Sequence, residues 1–236
     1  MCDILEADQR FHVEDRAKNG KEALDLLCKK KYDAVVLDVN MPVMGGLELL
    51  KELQVRKMPV RVMMASTDTR EGAKVTMDAL ELGAIDFVHK SGNIKNNRTE
   101  EFQKNFCETL YAVASSREPA FGKAVSLGSI QSDKKFVSMV RKHTIAGNKI
   151  VAIASSTGGP KALQAVIPKL PKGLNAPVVL VQHMPVGFTK SLAERLDSLS
   201  ELTVTEAREG EMLQKGHVYI SKGGMHMNVS SDQRKS

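Results

Sequence analysis

Short apolar runs alternate with amphipathic stretches along the first half of the chain. Continuous apolar runs predict three buried strands, at 34–37, 60–65 and 85–88. Apolar residues at helical spacing predict four helices, at 20–30, 46–56, 70–82 and 99–114. Such an alternation of strands and helices predicts an α/β fold, in which helices cover both faces of a parallel sheet.

A second α/β segment follows a stretch of weak periodicity. Its predicted strands are at 150–154, 176–182, 202–205 and 217–221, and its predicted helices are at 161–167 and 189–199. The stretch between the two segments is rich in Ser, Gly and Lys, and we interpret it as a linker with a short helix near 136–141. The pattern therefore predicts a first domain over 1–114, a linker over 115–148 and a second domain over 149–236.

The composition agrees with aliphatic α/β cores, since hydrophobic residues make up 42% of the chain, aromatic residues only 4%, and Trp is absent. No apolar run approaches the roughly 18 residues of a membrane span. The first residues lack the basic and apolar regions of a signal peptide. Cys2, Cys28 and Cys107 have neither metal-binding nor disulfide spacing. These features predict a cytoplasmic protein without direct membrane insertion.

The formal net charge of +6 raises the question of nucleic-acid binding. Between Ser116 and Lys149 there are seven basic and two acidic residues, so nearly all of the excess lies in the linker. This stretch lacks interleaved aromatic residues and any recognition-helix pattern. We interpret it as a solvated basic linker and predict no nucleic-acid partner.

Polar residues stand at the ends of the three predicted strands of the first domain: Asp38, Ser66 and Lys90. In open α/β sheets, ligands bind at the carboxyl ends of the strands. An aspartate there can accept a phosphoryl group as a nucleophile, and a hydroxyl and an ammonium can bind the transferred oxygens. Strand ends are often polar in any case, so these residues gain weight only with Met41-Pro42 and the segment GAIDFV at 83–88.

This first segment resembles response-regulator receiver domains through YDAVVLDVNMP at 32–42, MMAS at 63–66 and DFVHK at 86–90. The resemblance implies a flavodoxin-like fold with Asp38 as the phosphoacceptor. It also implies Ser66 as the switch hydroxyl and Lys90 as the phosphate-contacting lysine. Asp38 and the backbone carbonyl of Asn40 would be ligands of the Mg²⁺ ion that assists phosphorylation.

The start of the chain departs from the receiver pattern. Receivers open with a strand that ends in two acidic residues, which hold the magnesium ion, whereas this chain opens inside what resembles the first helix. We therefore expect a first domain without its first strand and with an incomplete metal site. Gly45-Gly46 also stands where an acidic residue before glycine is usual. Phosphorylation of Asp38 is accordingly expected to be weak or absent.

The segment SSTGGP at 155–160 lies between a predicted strand and a predicted helix. Pro160 suits a first helical turn, and free backbone N–H groups at such a turn could hold an oxyanion. His183 ends another predicted strand and could accept the proton of a serine hydroxyl. Taken alone, the turn is equally an anion-binding helix start, although a phosphate loop would need a different spacing. Taken alone, His183 is an ordinary polar strand end.

The joint pattern resembles the catalytic domain of chemotaxis protein-glutamate methylesterases. The matching segments are STGGP at 156–160, QHMPVGFT at 182–189, AREG at 207–210, GHVYI at 216–220 and GGMHM at 223–227. The resemblance implies Ser156 as the nucleophile, His183 as the general base, and Thr157, Gly158 and Gly159 as the oxyanion turn. Ser155 stands where a small residue is usual, and its hydroxyl could compete for His183.

A receiver, a linker and this hydrolase segment together imply a phosphorylation-regulated methylesterase, which also deamidates glutamines of chemoreceptors and needs no cofactor for hydrolysis. Its implied partners are a chemotaxis histidine kinase and methyl-accepting receptors. The triad aspartate of the family lies beyond Ser236, so we expect the second domain to be incomplete and poorly stable. Asp197 and Asp232 lack the expected context for that role. The alternative is an inert receiver and docking module of a two-component pathway.

Overall fold

A computed structural model describes residues 1–67, 70–90, 99–116 and 149–230 of the chain. The short helix expected near 136–141 lies outside these described residues, as does Asp232. Among the described residues, no helix has the length and apolar character that a membrane span requires.

The first domain is an α/β layer structure around a three-stranded parallel sheet of order β1-β2-β3. Its strands are β1 (Val35–Asp38), β2 (Val62–Thr67) and β3 (Asp86–Lys90). Its helices are α1 (Cys2–Glu6), α2 (Gly20–Lys29), α3 (Gly46–Val55), α4 (Arg70–Glu81) and α5 (Glu100–Ser115). The α/β fold class predicted from the sequence is confirmed.

Helices cover both faces of this sheet. Leucines of α2 and α3 join apolar residues of α4 in one buried cluster with Leu37 and Met64 of the strands. Met63 and Val88 point to the opposite face, where they pack with Phe106 of α5 and with Leu5 of α1. Because side chains alternate between the two faces of a strand, Met63 and Met64 serve different cores.

The second domain contains a four-stranded parallel sheet of order β4-β5-β7-β6. Its strands are β4 (Val151–Ser155), β5 (Val178–Gln182), β6 (Thr203–Glu206) and β7 (His217–Ile220). Its helices are α6 (Gly159–Val166) and α7 (Phe188–Leu199), and a single 3₁₀ turn (Ile167–Lys169) extends α6.

The two faces of this second sheet differ in burial. Leu180, Val218 and Ile220 are fully buried in the cluster that includes Leu192 and Leu196 of α7. On β4 and β5, three of the four residues that point to the other face are exposed, namely Ala152, Ala154 and Val181, and Val179 is half-buried. Among the described residues, the helices of this domain therefore cover one face of the sheet.

The two domains pack against each other through α4 and β3 of the first and α6 and α7 of the second. The rings of Phe87 and Phe188 stack with their centroids 5.1 Å apart. Glu81 forms an ion pair with Arg195, with 2.5 Å between the carboxylate oxygen and the guanidinium nitrogen. One hydrophobic cluster runs from the first domain into the second, so the interface is an extension of the core.

Candidate active site and phosphoacceptor site

The carboxyl ends of β1 and β3 bring Asp38 and Lys90 together, as the sequence predicts. Nζ of Lys90 lies 2.5 Å from Oδ2 of Asp38. The backbone N–H of Asn40 donates to Oδ1 of Asp38 over 3.3 Å. Ser66 is fully buried at the end of β2, and its hydroxyl donates to the carbonyl of Gly72 over 3.1 Å. Asp38 is thus held by Lys90, while the hydroxyl of Ser66 is engaged with α4.

Gly46 allows the backbone after Asp38 to pass close to the start of α3. A Cβ atom at this position would lie 2.3 Å from the carbonyl oxygen of Asp38, far inside van der Waals contact. The N–H of Gly46 donates to the carbonyl of Val39 over 3.0 Å. The second glycine of the Gly45-Gly46 pair is therefore required by packing beside the phosphoacceptor candidate.

The predicted magnesium ligands do not by themselves fit a divalent ion. No group of three or more His, Cys, Asp or Glu side chains with metal-binding geometry occurs in the part of the chain that the structure describes. One carboxylate oxygen of Asp38 is already paired with Lys90. Since Mg²⁺ prefers octahedral oxygen coordination, it would need oxygen ligands beyond Asp38 and the carbonyl of Asn40.

The SSTGGP turn connects β4 to α6 as the sequence predicts. Gly158 precedes the helix with φ of +72°, a left-handed conformation that favours glycine. Pro160 occupies the first helical turn. Ser156 and Thr157 are exposed. The N–H of Gly159 donates to the carbonyl of Ser156 over 2.7 Å, so this donor closes the turn and does not face a ligand.

A carboxylate of the first domain accepts a hydrogen bond from the next N–H of the turn. The N–H of Gly158 donates to Oδ2 of Asp86 over 2.6 Å, and the N–H of Phe87 donates to Oδ1 over 2.8 Å. Burial raises the pKa of Asp86 to about 6, although the two backbone N–H donors oppose the shift. The N–H groups of Gly158 and Gly159 thus both donate within the chain in this arrangement, and an oxyanion role for the turn stays a prediction.

Ser156 and His183 line one cavity of about 310 Å³ between the domains. The ends of β4 and β5 place them there, and the N–H of His183 donates to the carbonyl of Ser155 over 3.1 Å. Among the hydrogen bonds of the described residues, none joins the Ser156 hydroxyl to the His183 ring. The first domain contributes to the wall of the cavity through Asp86, Phe87, His89, Asn105 and Thr109.

Gln182 connects the two predicted catalytic segments. Its Oε1 accepts a hydrogen bond of 2.6 Å from the Ser155 hydroxyl, and its Nε2 donates to the carbonyls of Ser156 at 3.0 Å and His183 at 3.2 Å. The Ser155 hydroxyl therefore bonds to Gln182, and the expected competition for His183 is not seen. Asp197 accepts the N–H of Val204 over 2.7 Å, so this carboxylate holds the start of β6.

Two residues of the site, Asp86 and Gln182, are not predicted as functional by the sequence pattern. Asp86 is a polar residue at the start of a buried strand, and Gln182 is a polar residue at the end of another. The signal in the sequence is a polar residue at one end of an apolar strand segment. Such a residue tends to be buried, as both are here at 6% and 5% exposure, and buried polar groups require partners. Each has one partner in the residue that follows it and at least one from a distant part of the chain, at Gly158 for Asp86 and at Ser155 and Ser156 for Gln182.

Comparison with known families agrees with both halves of the structure. The model of the response regulator receiver domain matches residues 1–99, and the model of CheB methylesterase matches residues 151–236. Protein-glutamate methylesterase/protein-glutamine glutaminase of Thermotoga maritima is 40% identical over 237 residues, which is 100% of this chain and 65% of that protein. The protein of the same name from Archaeoglobus fulgidus is 43% identical over 232 residues, 97% of this chain and 64% of the relative.

The chain thus spans somewhat less than two thirds of the length of these curated relatives. Among solved structures, the CheB methylesterase catalytic domain of Thermotoga maritima is 57% identical, with 37% of this chain and 46% of that one covered and a TM-score of 0.36. The response regulator domain of Thermotoga maritima CheB is 32% identical, with 48% and 84% covered and a TM-score of 0.42. Since the two family models account for most of the chain and the relatives align across nearly all of it, the chain belongs to the CheB family, with a receiver domain followed by a CheB methylesterase domain.

Proposed function

We propose that this chain carries the catalytic centre of a chemotaxis protein-glutamate methylesterase, with Ser156 as nucleophile and His183 as general base. The observation that supports this most is the shared cavity, in which both side chains stand at the carboxyl ends of adjacent parallel strands. The names of the relatives give the substrate class: glutamate methyl esters, and glutamine side chains for the second activity.

The proposed chemistry is acyl transfer through a covalent intermediate. The Ser156 oxygen attacks the ester carbonyl while the His183 ring accepts the hydroxyl proton, and that proton then leaves with methanol. Water then attacks the acyl-enzyme and gives a proton to His183, which returns it to the Ser156 oxygen as the ester bond breaks and the glutamate carboxylate is released. With a glutamine substrate, the same steps release ammonia in place of methanol.

The interface supports regulation by the receiver domain. Asp86 occupies the N–H of Gly158, a donor at the turn that follows the nucleophile, and α5 residues wall the cavity. In the proposal, a chemotaxis histidine kinase transfers a phosphoryl group to Asp38, at the low rate expected of an incomplete Mg²⁺ site. The added charge breaks the present ion pair between Asp38 and Lys90, and the receiver moves away from the cavity. The substrates are then methyl-accepting chemoreceptors.

The test is methanol release from a methylated chemoreceptor by the full chain. We expect Ser156→Ala to abolish release, because it removes the attacking oxygen. Ser155→Ala is the neighbouring control: it leaves the attacking oxygen of Ser156 in place and removes one hydrogen bond to Gln182, so release is expected to persist at a reduced rate.

Equal release by wild type and Ser156→Ala would contradict the assignment of the nucleophile. An absence of release from the wild-type chain, under conditions in which a full-length relative is active, would overturn the proposed activity for these residues.

A further inference from the structure

We infer that Gln182 is a positioning residue, which uses both ends of its amide to fix the backbone beside Ser156 and the backbone of His183. The inference rests on the proposed function, because it concerns the alignment of that nucleophile and base. The structure gives Gln182 no contact with a reacting atom.

The amide of Gln182 has every polar atom engaged. It lies 5% exposed at the end of β5, opposite Ser155 in the parallel register. Its oxygen accepts from the Ser155 hydroxyl, and its nitrogen donates to the carbonyls of Ser156 and His183. A primary amide supplies two donor hydrogens and an acceptor oxygen, which is the set that these three partners require.

The three partners surround the predicted catalytic pair. The carbonyl of Ser156 belongs to the peptide that directly follows the nucleophile, and the carbonyl of His183 belongs to the peptide that follows the base. The carbonyl of Ser156 also accepts a hydrogen bond from the N–H of Gly159, so it would keep one of its two hydrogen bonds if Gln182 were replaced. The bond to the His183 carbonyl has no such substitute among the described hydrogen bonds, and we expect His183 to move more.

Gly159 provides a second, independent observation. A Cβ atom at this position would lie 2.0 Å from Oε1 of Gln182 and 3.0 Å from Cβ of Ser155. The side chain of Gln182 therefore fills the space that a larger residue at 159 would need. The close approach of the amide to the start of α6 explains why glycine is found at this non-strained position of the turn.

The test compares Gln182→Met with Gln182→Glu in the full chain. Methionine has a similar volume but neither donates nor accepts strongly, so all three bonds are lost. We expect kcat for methanol release to fall about 10- to 100-fold with KM little changed, as is typical of small misplacements of catalytic groups. Gln214→Met is the matched control, since Gln214 is exposed, and it is expected to leave kcat unchanged.

The Gln182→Glu variant separates positioning from packing. When its new carboxylate is ionised, the side chain keeps the volume but presents only acceptors to the two carbonyls, whereas a protonated carboxyl recovers one donor. The ratio of variant to wild-type kcat is therefore expected to rise as the pH is lowered. A role limited to packing would give a ratio that does not depend on pH.

Two readouts keep this inference apart from the proposed activity. Phosphonylation of Ser156 by a fluorophosphonate forms a bond from Oγ to phosphorus and releases fluoride, with the hydroxyl proton passing to His183. The ¹⁵N–¹H amide shifts of Met184 and Thr157 report the peptides that Gln182 holds. If wild type labels but releases no methanol, the proposed activity fails, and these readouts still test Gln182.

Slower labelling and shifted amides in Gln182→Met, beyond those of Gln214→Met, would support the inference. Labelling rates and amide shifts equal to wild type in Gln182→Met would overturn it. If Gln182→Met does not fold, the Gln182→Glu variant decides: recovery of its labelling rate, relative to wild type, on acidification supports the inference, and no recovery overturns it.

Discussion

At the scale of single residues, two glycines show how closely the backbone is packed at both candidate sites. A Cβ atom on Gly46 would meet the carbonyl oxygen of Asp38 at 2.3 Å, and one on Gly159 would meet Oε1 of Gln182 at 2.0 Å. The sequence predicts a turn at Gly158 and Gly159, but it does not distinguish their roles. Gly158 supplies a left-handed backbone, whereas Gly159 supplies space.

The role of Gly159 gives a stability prediction. Gly159→Ala is expected to destabilise the chain by about 1–3 kcal/mol, because overpacking forces neighbouring groups to shift. The measurement is the free energy of unfolding in urea, followed by circular dichroism. Gly173→Ala is the matched control, since a Cβ atom there would meet nothing within 4 Å.

Comparable losses in the two glycine variants would contradict this role and indicate that the amide of Gln182 moves aside without cost. A loss confined to Gly159→Ala would support it.

At the scale of helices and strands, the sequence predicted nearly every element of the described chain. The strand expected at 60–65 is found at Val62–Thr67, and the helix expected at 189–199 is found at Phe188–Leu199. The pattern of apolar residues predicts both helices and strands because each kind of element buries its apolar side chains at its own spacing along the chain. The start of α6 at Gly159 was missed by two residues, since glycine and proline carry no periodic signal.

The packing of elements was harder to predict than their positions. The contact of α4 with α7 joins helices from different domains, and no local pattern specifies it. The aromatic pair Phe87–Phe188 is nearly buried, at 9% and 1% exposure, whereas the ion pair Glu81–Arg195 is more open, with side chains 53% and 26% exposed. We therefore expect the aromatic pair to contribute more to the free energy of unfolding than the ion pair does.

A pair of double-mutant cycles tests this difference. Phe87→Leu with Phe188→Leu is expected to give a coupling free energy of about 0.5–1.5 kcal/mol, typical of stacked rings. Glu81→Gln with Arg195→Gln is expected to give less than about 1 kcal/mol and to weaken at high salt. The measurement is the free energy of unfolding of the wild type and of each single and double variant, at low and at high salt, from which both coupling free energies follow.

The expectation fails if the ion pair shows the larger coupling, or if the aromatic coupling falls with salt as steeply as the ionic one.

At the scale of the whole molecule, a receiver domain closes one side of the cavity that holds Ser156 and His183. The sequence predicted two domains and their order, and from a resemblance it implied that one regulates the other. It could not predict the bond between Asp86 and Gly158, because these residues are 72 positions apart. Such contacts depend on how the two folded domains pack against each other.

The buried carboxyl at this interface makes stability depend on pH. The pKa of Asp86 is raised from 3.8 to about 6 in the native protein, so the native state binds its proton more tightly than the unfolded state does. This contribution to stability is fully present below pH 3.8 and is lost as the pH rises through about 6. The effect amounts to at most about 3 kcal/mol.

Asp86→Asn removes the titration and serves as the reference. The unfolding free energy of wild type minus that of Asp86→Asn is expected to increase as the pH falls from neutrality towards about 4, while titrations of other groups cancel. Urea unfolding at a series of pH values measures this difference. A difference that stays constant across the range would contradict the raised pKa.

Strand β3 joins the two candidate sites in one short stretch of backbone. Lys90, at its end, holds Asp38, and Asp86, at its start, holds the N–H of Gly158. With a rise of about 3.3 Å per residue, these contacts lie about 13 Å apart along the strand. The carboxylate of Asp38 and the N–H of Gly158 are therefore connected through the five residues of one strand, which is paired to β2 along its length.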